Sequence, residues 1–435
     1  MASLGALMTG PPDNGAPPRR ARRVDLPPPP PGDDSFATIS HERVLAKAAD
    51  QARERGLQDE FIVDIDVHYN EMASWFELLE YLDDDVLEEF LRAGGRGTPW
   101  IPAAVRSGGS QDTAGRVKPQ RVRDADAKGE GSAGFVRQIT ATIDAMSVDN
   151  VIVFPTEFLH FGTNPFIDDL EAPLARAHAQ WVTERLLGAD PRIITQLYLP
   201  FSDPDACLEL IERYGDHPGI VGFMITSVRY RPVHDPIYFP VYRALEERGL
   251  PLGFHGAFHY YERSMEQFNR FISVHALGFP HYQMINMTNW VINGLSERFP
   301  ALKVVFIEGG LAFIPFLMER LDHEFLARPS EAPLLQRRPS DYMREFFYSS
   351  QPLESAINPR YLEVTFDMIA AKTQLMYASD WPHWDFDLPS RIYDIPFLDD
   401  ESRRNILGLN AARIYGLDPT PNTPASAPRR SDQNR

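Results

Sequence analysis

The chain has 435 residues, 43% of them hydrophobic, enough to fill a large core, and at pH 7 it carries −18 from 61 acidic against 43 basic side chains. An acidic balance of that size argues against nucleic acid or an anionic membrane surface as the main partner. A single cysteine, Cys207, excludes an internal disulfide and fits a reducing compartment.

Residues 1–38 are rich in Pro, Gly and Arg and read as a disordered tail, with polyproline character around Pro27 to Pro31. Its "RRARRVDLPPPPPGDD" has the arginines of an export signal. A proline run follows them where an apolar segment is required, so the chain reads as cytoplasmic. No apolar stretch approaches the ~20 residues that span a bilayer. "SHERVLAKAADQARERG" (40–56) has the cap and charge pattern of a short surface helix leading into the core.

From there a strand-and-helix rhythm sets in. Strand-like apolar runs are "FIVDIDVH" (61–68), "NVIVFPT" (150–156), "RIITQLYLP" (192–200) and "IVGFMITS" (220–227). They continue with "LPLGFHGA" (250–257), "KVVFIEGG" (303–310), "EFFYSSQP" (345–352) and "QLMYASDW" (374–381). Helical spacing intervenes at Phe135, Ile139, Ile143 and Met146. Asp203 and Pro204 open a helix that contains Cys207, read as a buried structural thiol, and "YFPVYRALEERG" (238–249) ends on glycine as helices do. Near-continuous apolar strands alternating with helices imply a parallel sheet buried on both faces. Eight such units predict an α/β fold of the closed (β/α)8 barrel type, and no glycine-rich phosphate loop follows the first strand to favour an open doubly wound sheet. The barrel domain is expected over 39–418, with a disordered tail over 419–435. Residues 94–134 are too polar and glycine-rich for a core element, and read as an insertion after the first strand that is either a lid or disordered.

Barrel enzymes place their chemistry at the C-terminal ends of the strands. In the first run Asp64, Asp66 and His68 alternate onto one face, where burial would penalise them unless something satisfied them. The fifth run delivers His255, the sixth Glu308 and the eighth Asp380. The second offers Glu157 and His160, and the fourth leads into Arg229 and Arg231. Imidazoles and carboxylates converging there would satisfy one divalent first-row metal ion. Each alone has a plainer reading: His68 and His255 as hydrogen-bonded polar residues, Asp380 as a helix cap, the arginines as solvated charges. Their coincidence at strand ends favours a metal. His259 and His383 lie just past strand ends and are expected to line the mouth as substrate-binding residues. Trp381, Trp384, Phe254 and Tyr260 hint at a planar or apolar substrate.

Five stretches in order carry a resemblance: "DIDVHYNE", "DPIYFPVYRALEERGLPLGFH", "LKVVFIEGGLAFIPFLMERLDHEF", "LMYASDWPHWD" and "ILGLNAARIYGL". Together they resemble the second amidohydrolase family, metal-dependent barrel enzymes that include aminocarboxymuconate-semialdehyde and resorcylate decarboxylases. The resemblance implies that Asp66, His68 and His255 hold the metal, with Asp380 binding it and orienting or deprotonating its water. It also implies a homodimer. Many members carry a histidine where this chain has Asp66 on strand one and Glu308 on strand six. Two carboxylates make the donor set harder, so Mn²⁺ or Fe²⁺ rivals Zn²⁺. The first functional expectation is a hydrolase acting on a small carbonyl substrate, with Asp380 and Glu308 as catalytic carboxylates. The alternatives are a non-oxidative decarboxylase, with Arg229 or Arg231 meeting the substrate carboxylate, and a non-catalytic barrel serving as a partner subunit.

Overall fold

All eight apolar runs form strands in the structure, a computed structural model that describes residues 41–94, 131–163, 168–229, 231–258, 264–265, 267–354 and 358–421. They are β1 (Val63–Tyr69), β2 (Asn150–Pro155), β3 (Ile193–Tyr198), β4 (Ile220–Thr226), β5 (Leu252–His255), β6 (Val304–Ile307), β7 (Phe347–Ser349) and β8 (Leu375–Met376). All pair in parallel and in chain order. The first and last edges then meet. Ile65 N donates to Tyr377 O at 3.0 Å, Asp380 N to Asp66 O at 2.8 Å and His68 N to Trp381 O at 2.6 Å. The sheet thereby closes into the predicted (β/α)8 barrel. The last strand ladder is short, but the chain runs on beside β1 as far as Trp381.

Both strand faces are covered, which is why the runs read as almost unbroken Val, Ile, Leu and Phe: every residue of β1, β3 and β4 is buried. The helices form the outer layer. In Pro204–Tyr214 the Asp203 side chain accepts from Asp205 N and Ala206 N, as the cap reading expected, and the Cys207 thiol is buried against Pro200 O. Phe239–Arg248 ends at Gly249 with φ 67°, a left-handed cap that suits glycine. Among the described residues no helix is long and apolar enough to cross a membrane.

The expected tail 1–38, residues 95–130 of the expected insertion and residues 422–435 lie outside the described residues. Residues 131–134, which the composition assigned to the insertion, open the helix Gly131–Met146 instead. Glu77 explains this start: its carboxylate accepts from Ser132 N at 3.0 Å and Ser132 Oγ at 2.6 Å, holding the helix's first turn to the barrel.

Candidate metal centre at the strand ends

Four strand ends that are remote in sequence converge on one buried cluster. His68 Nε2 lies 3.1 Å from Asp66 Oδ1 and 3.4 Å from Asp380 Oδ1. His255 Nε2 lies 3.2 Å from the same Asp66 oxygen. His383 Nδ1 is 2.6 Å from Asp380 Oδ1, and the His68 and His383 rings sit 4.2 Å apart. Glu308 Oε2 stands 3.5 Å behind His255, at Nδ1. Asp66, His255, Asp380 and His383 have no exposed surface, and Phe154 seals the base against His255 at 4.7 Å. The backbone is bent to reach this arrangement. Glu308 has φ 56° and Asp380 φ 60°, left-handed values that are costly for a side chain with a Cβ and that gather at functional sites. One glycine is obligatory here: a Cβ on Gly256 would lie 2.3 Å from Glu308 O, so only glycine lets the end of β5 approach β6.

The donor set suits a divalent ion. His68 Nε2 and Asp66 Oδ2 are buried and make no hydrogen bond, although carboxylate oxygens lie within 3.4 Å of that nitrogen. Gly256 O can only accept, so its 3.0 Å contact fixes the ring proton of His255 on Nδ1 and turns the Nε2 lone pair toward Asp66. Acceptors that face one another in a dry pocket need a cation between them. Metal–nitrogen bonds of 2.0–2.1 Å give neighbouring donors roughly 2.9–3.4 Å apart, the range seen for His68 Nε2 and His255 Nε2 against the Asp66 and Asp380 carboxylates. Burial, with His383 adding to it, pushes the His68 imidazole down to about 3, so the ring is neutral near pH 7 and keeps a lone pair to give. Burial pushes the Asp66 carboxyl up, but the imidazoles of His255 and His68 outweigh it and hold Asp66 below the usual carboxylate range. The residues fit the ion. Two triplets of donors lie close enough together to hold a metal ion, and both include His68: Asp66, His68 and His255, and His68, Asp380 and His383.

Other expected site residues fall elsewhere. His383, expected to line the mouth, lies within the buried cluster instead, because the turn after Asp380 folds back so that His383 N donates to Asp380 O at 2.9 Å. Trp381 is buried with its ring 4.8 Å from Phe386, a packing position. Arg229 is committed to a buried ion pair: its guanidinium is 3.1 Å from Glu171 Oε1 and lies over the Phe201 ring. Its charge is already compensated. Arg231 is exposed and 3.4 Å from Asp235. His259 and Tyr260 lie outside the described residues. Asp64 is buried beneath the cluster, where its Oδ1 accepts from Ser379 N and Asp66 N and burial pushes it up to about 7. Glu71 had no role in the sequence reading. It staples the rim, accepting from Thr156 N at 3.0 Å and Phe158 N at 2.7 Å, beside the Thr156 hydroxyl that lies 3.5 Å from His68 Nδ1. No local signal marks it, because its partners are 85 and 87 residues away.

Comparison with known proteins follows the same lines. A family model described as amidohydrolase matches residues 152–417. A 2-amino-3-carboxymuconate-6-semialdehyde decarboxylase from Dictyostelium discoideum is 24% identical over 230 residues, 51% of this chain and only 60% of that protein's length. A gamma-resorcylate decarboxylase from Rhizobium sp. (strain MTP-10005) is 25% identical over 267 residues, 56% of this chain and 76% of the relative. A 5-carboxyvanillate decarboxylase from Novosphingobium aromaticivorans, solved with manganese and 4-hydroxy-3-methoxy-5-nitrobenzoic acid, superposes with a TM-score of 0.56. At 16% identity, over 83% of this chain and 97% of that one, it shows a shared fold. Since the family model spans more than half of the chain and the barrel beneath it is the same, the chain belongs to the amidohydrolase family.

Proposed function

We propose that this chain is a metal-dependent, non-oxidative decarboxylase of a small carboxylic acid, working from a single barrel domain over 39–418. The observation that carries the reading is the buried cluster of Asp66, His68, His255 and Asp380, in which carboxylate oxygens of Asp66 and Asp380 lie 3.1 and 3.4 Å from a His68 Nε2 that makes no hydrogen bond. The relatives weigh for decarboxylation over hydrolysis, since the Dictyostelium and Rhizobium proteins are both named decarboxylases. The mixed carboxylate and imidazole set favours Mn²⁺ over Zn²⁺.

A bound divalent ion would neutralise the substrate carboxylate and hold it beside the cluster. The protein's own part is a proton. Asp380, hydrogen-bonded to His383, delivers it to the carbon that bears the carboxylate. The bond from that carbon to the carboxyl group breaks, its electron pair stays on the ring or chain carbon, and CO₂ leaves. Solvent then returns a proton to the Asp380–His383 pair. Glu308, buried against His255, keeps that ring oriented. Water is excluded because the donors have almost no exposed surface.

The test is to load the protein with Mn²⁺ and offer hydroxylated benzoates in D₂O. Release of CO₂ with one deuterium on the vacated carbon is expected, and Asp380→Asn should lose it. Turnover of amides or lactones with solvent oxygen in the product, and none of the acids, would return the chain to the hydrolases.

A further inference from the structure

Between Glu308 at the end of β6 and Asp380 past β8 stands Gln351, two residues beyond β7. Its side chain has no exposed surface, and neither Oε1 nor Nε2 has a hydrogen-bond partner. Among the described residues it is the one buried side chain with two such atoms. The other buried glutamines behave differently. Gln283 Nε2 donates to Phe254 O at 2.8 Å and Ile307 O at 2.9 Å, and Gln196 Nε2 donates to Tyr415 Oη at 3.0 Å. The first amide ties β5 to β6 and the second ties β3 to the C-terminal helix Asn410–Tyr415, whereas the Gln351 amide holds nothing.

The backbone around Gln351 is secured without it. Ser349 Oγ accepts from Glu308 N at 2.8 Å and donates to Gln351 O at 3.2 Å, while Ser350 N donates to Met376 O at 2.9 Å. One hydroxyl thus ties Gln351 to the strained Glu308, and the segment keeps its place between β6 and β8. A buried amide with both atoms unspent penalises the folded protein, and such a group in a native structure calls for an explanation. A primary carboxamide presents one donor and one acceptor side by side in a plane. Its natural complement is a ligand that offers an acceptor and a donor side by side, as a carboxylate or ketone next to a hydroxyl does.

We propose that Gln351 is a substrate-contacting specificity residue, its buried carboxamide, just past the C-terminal end of β7, reserved for a ligand that pairs an oxygen acceptor with a neighbouring hydroxyl. The identity of that ligand as an acid rests on the decarboxylase reading, whereas the unspent amide does not. A site built to hydrogen-bond a hydroxyl rejects the analogue lacking it far more strongly than an apolar pocket rejects a missing methylene.

The experiment uses the full chain loaded with Mn²⁺, the Gln351→Met and Gln351→Glu variants, and two probe sets: hydroxybenzoates with the hydroxyl next to the carboxylate, and plain benzoate. Calorimetry gives affinity, elemental analysis gives metal content, and thermal melts of ligand-free protein give stability. The wild type should prefer the hydroxylated acids over benzoate by about tenfold or more. Gln351→Met should erase that preference with unchanged metal content and a melting temperature equal to or above wild type. Gln351→Glu, which loses the donor and adds like charge, should weaken every carboxylate. A melting temperature lowered by several degrees in Gln351→Met would make the amide structural and overturn the proposal. A preference that survives in Gln351→Met would overturn it as well while leaving the decarboxylase reading intact. A wild type that binds none of the acids would overturn that reading and this one with it.

Discussion

Glu71 should make this barrel lose stability as pH rises through neutrality. Its side chain has no exposed surface, and burial, reinforced by the charge of Glu157, pushes its carboxyl from 4.5 up to about 8. Between those values the folded state keeps a proton that the unfolded chain has released. The folded state therefore binds more protons than the unfolded one there, and unfolding becomes easier with each step upward in pH. At ~1.4 kcal/mol per pH unit, stability drawn from Glu71 is complete below 4.5, about 3 kcal/mol lower at pH 7, and about 4 kcal/mol lower at pH 8. Glu71→Gln removes the titration but cannot accept from both Thr156 N and Phe158 N, a loss of about 1 kcal/mol. The variant should therefore be the weaker protein at about pH 5 and the stronger one at about pH 8. Urea unfolding of both proteins at fixed pH, followed by tryptophan fluorescence, reads the difference directly. A difference that keeps one sign across that range would refute the argument, because it would show Glu71 ionised in the folded state throughout.

Two further outcomes bear on the cluster itself. Asp66→Asn removes the one carboxylate whose Oδ1 faces both His68 and His255, and Mn²⁺ affinity should fall more than about 100-fold, beyond what loss of an outer partner causes. Dialysed variant that still carries one Mn²⁺ per chain would remove Asp66 from the ligand set. Gly256→Ala places a methyl 2.3 Å from Glu308 O, a backbone atom that no rotamer change can clear. Overpacking of this kind costs about 1–3 kcal/mol, so both the melting temperature and metal affinity should drop, whereas wild-type values for both would show that the ends of β5 and β6 can separate freely.

Much of this protein is local information. Parallel strands buried on both faces must be apolar at every position, so the eight runs stand out of the sequence, and their order alone yields a barrel. Asp66, His68, His255, Glu308 and Asp380 were legible for the same reason: an ionisable residue that ends an apolar run is conspicuous. The caps at Asp203 and Gly249 depend on neighbours within a few residues and were equally visible.

The alternation of elements and the charged residues at strand ends are therefore written locally along the chain. Which of those charges stay available depends on how the chain folds around them. Arg229 looks like an anchor for an anion until Glu171, 58 residues away, is seen to neutralise it. His383 looks like part of an open mouth until the turn after Asp380 buries it in the cluster. Glu71 and Gln351 look like ordinary polar residues until one is found stapling the rim and the other with nothing to bond. The physical reason is common to all four. Burial and pairing are properties of what surrounds a side chain, and in a closed barrel those surroundings include segments that lie far away along the chain in either direction, 58 residues for Arg229 and 85 and 87 for Glu71.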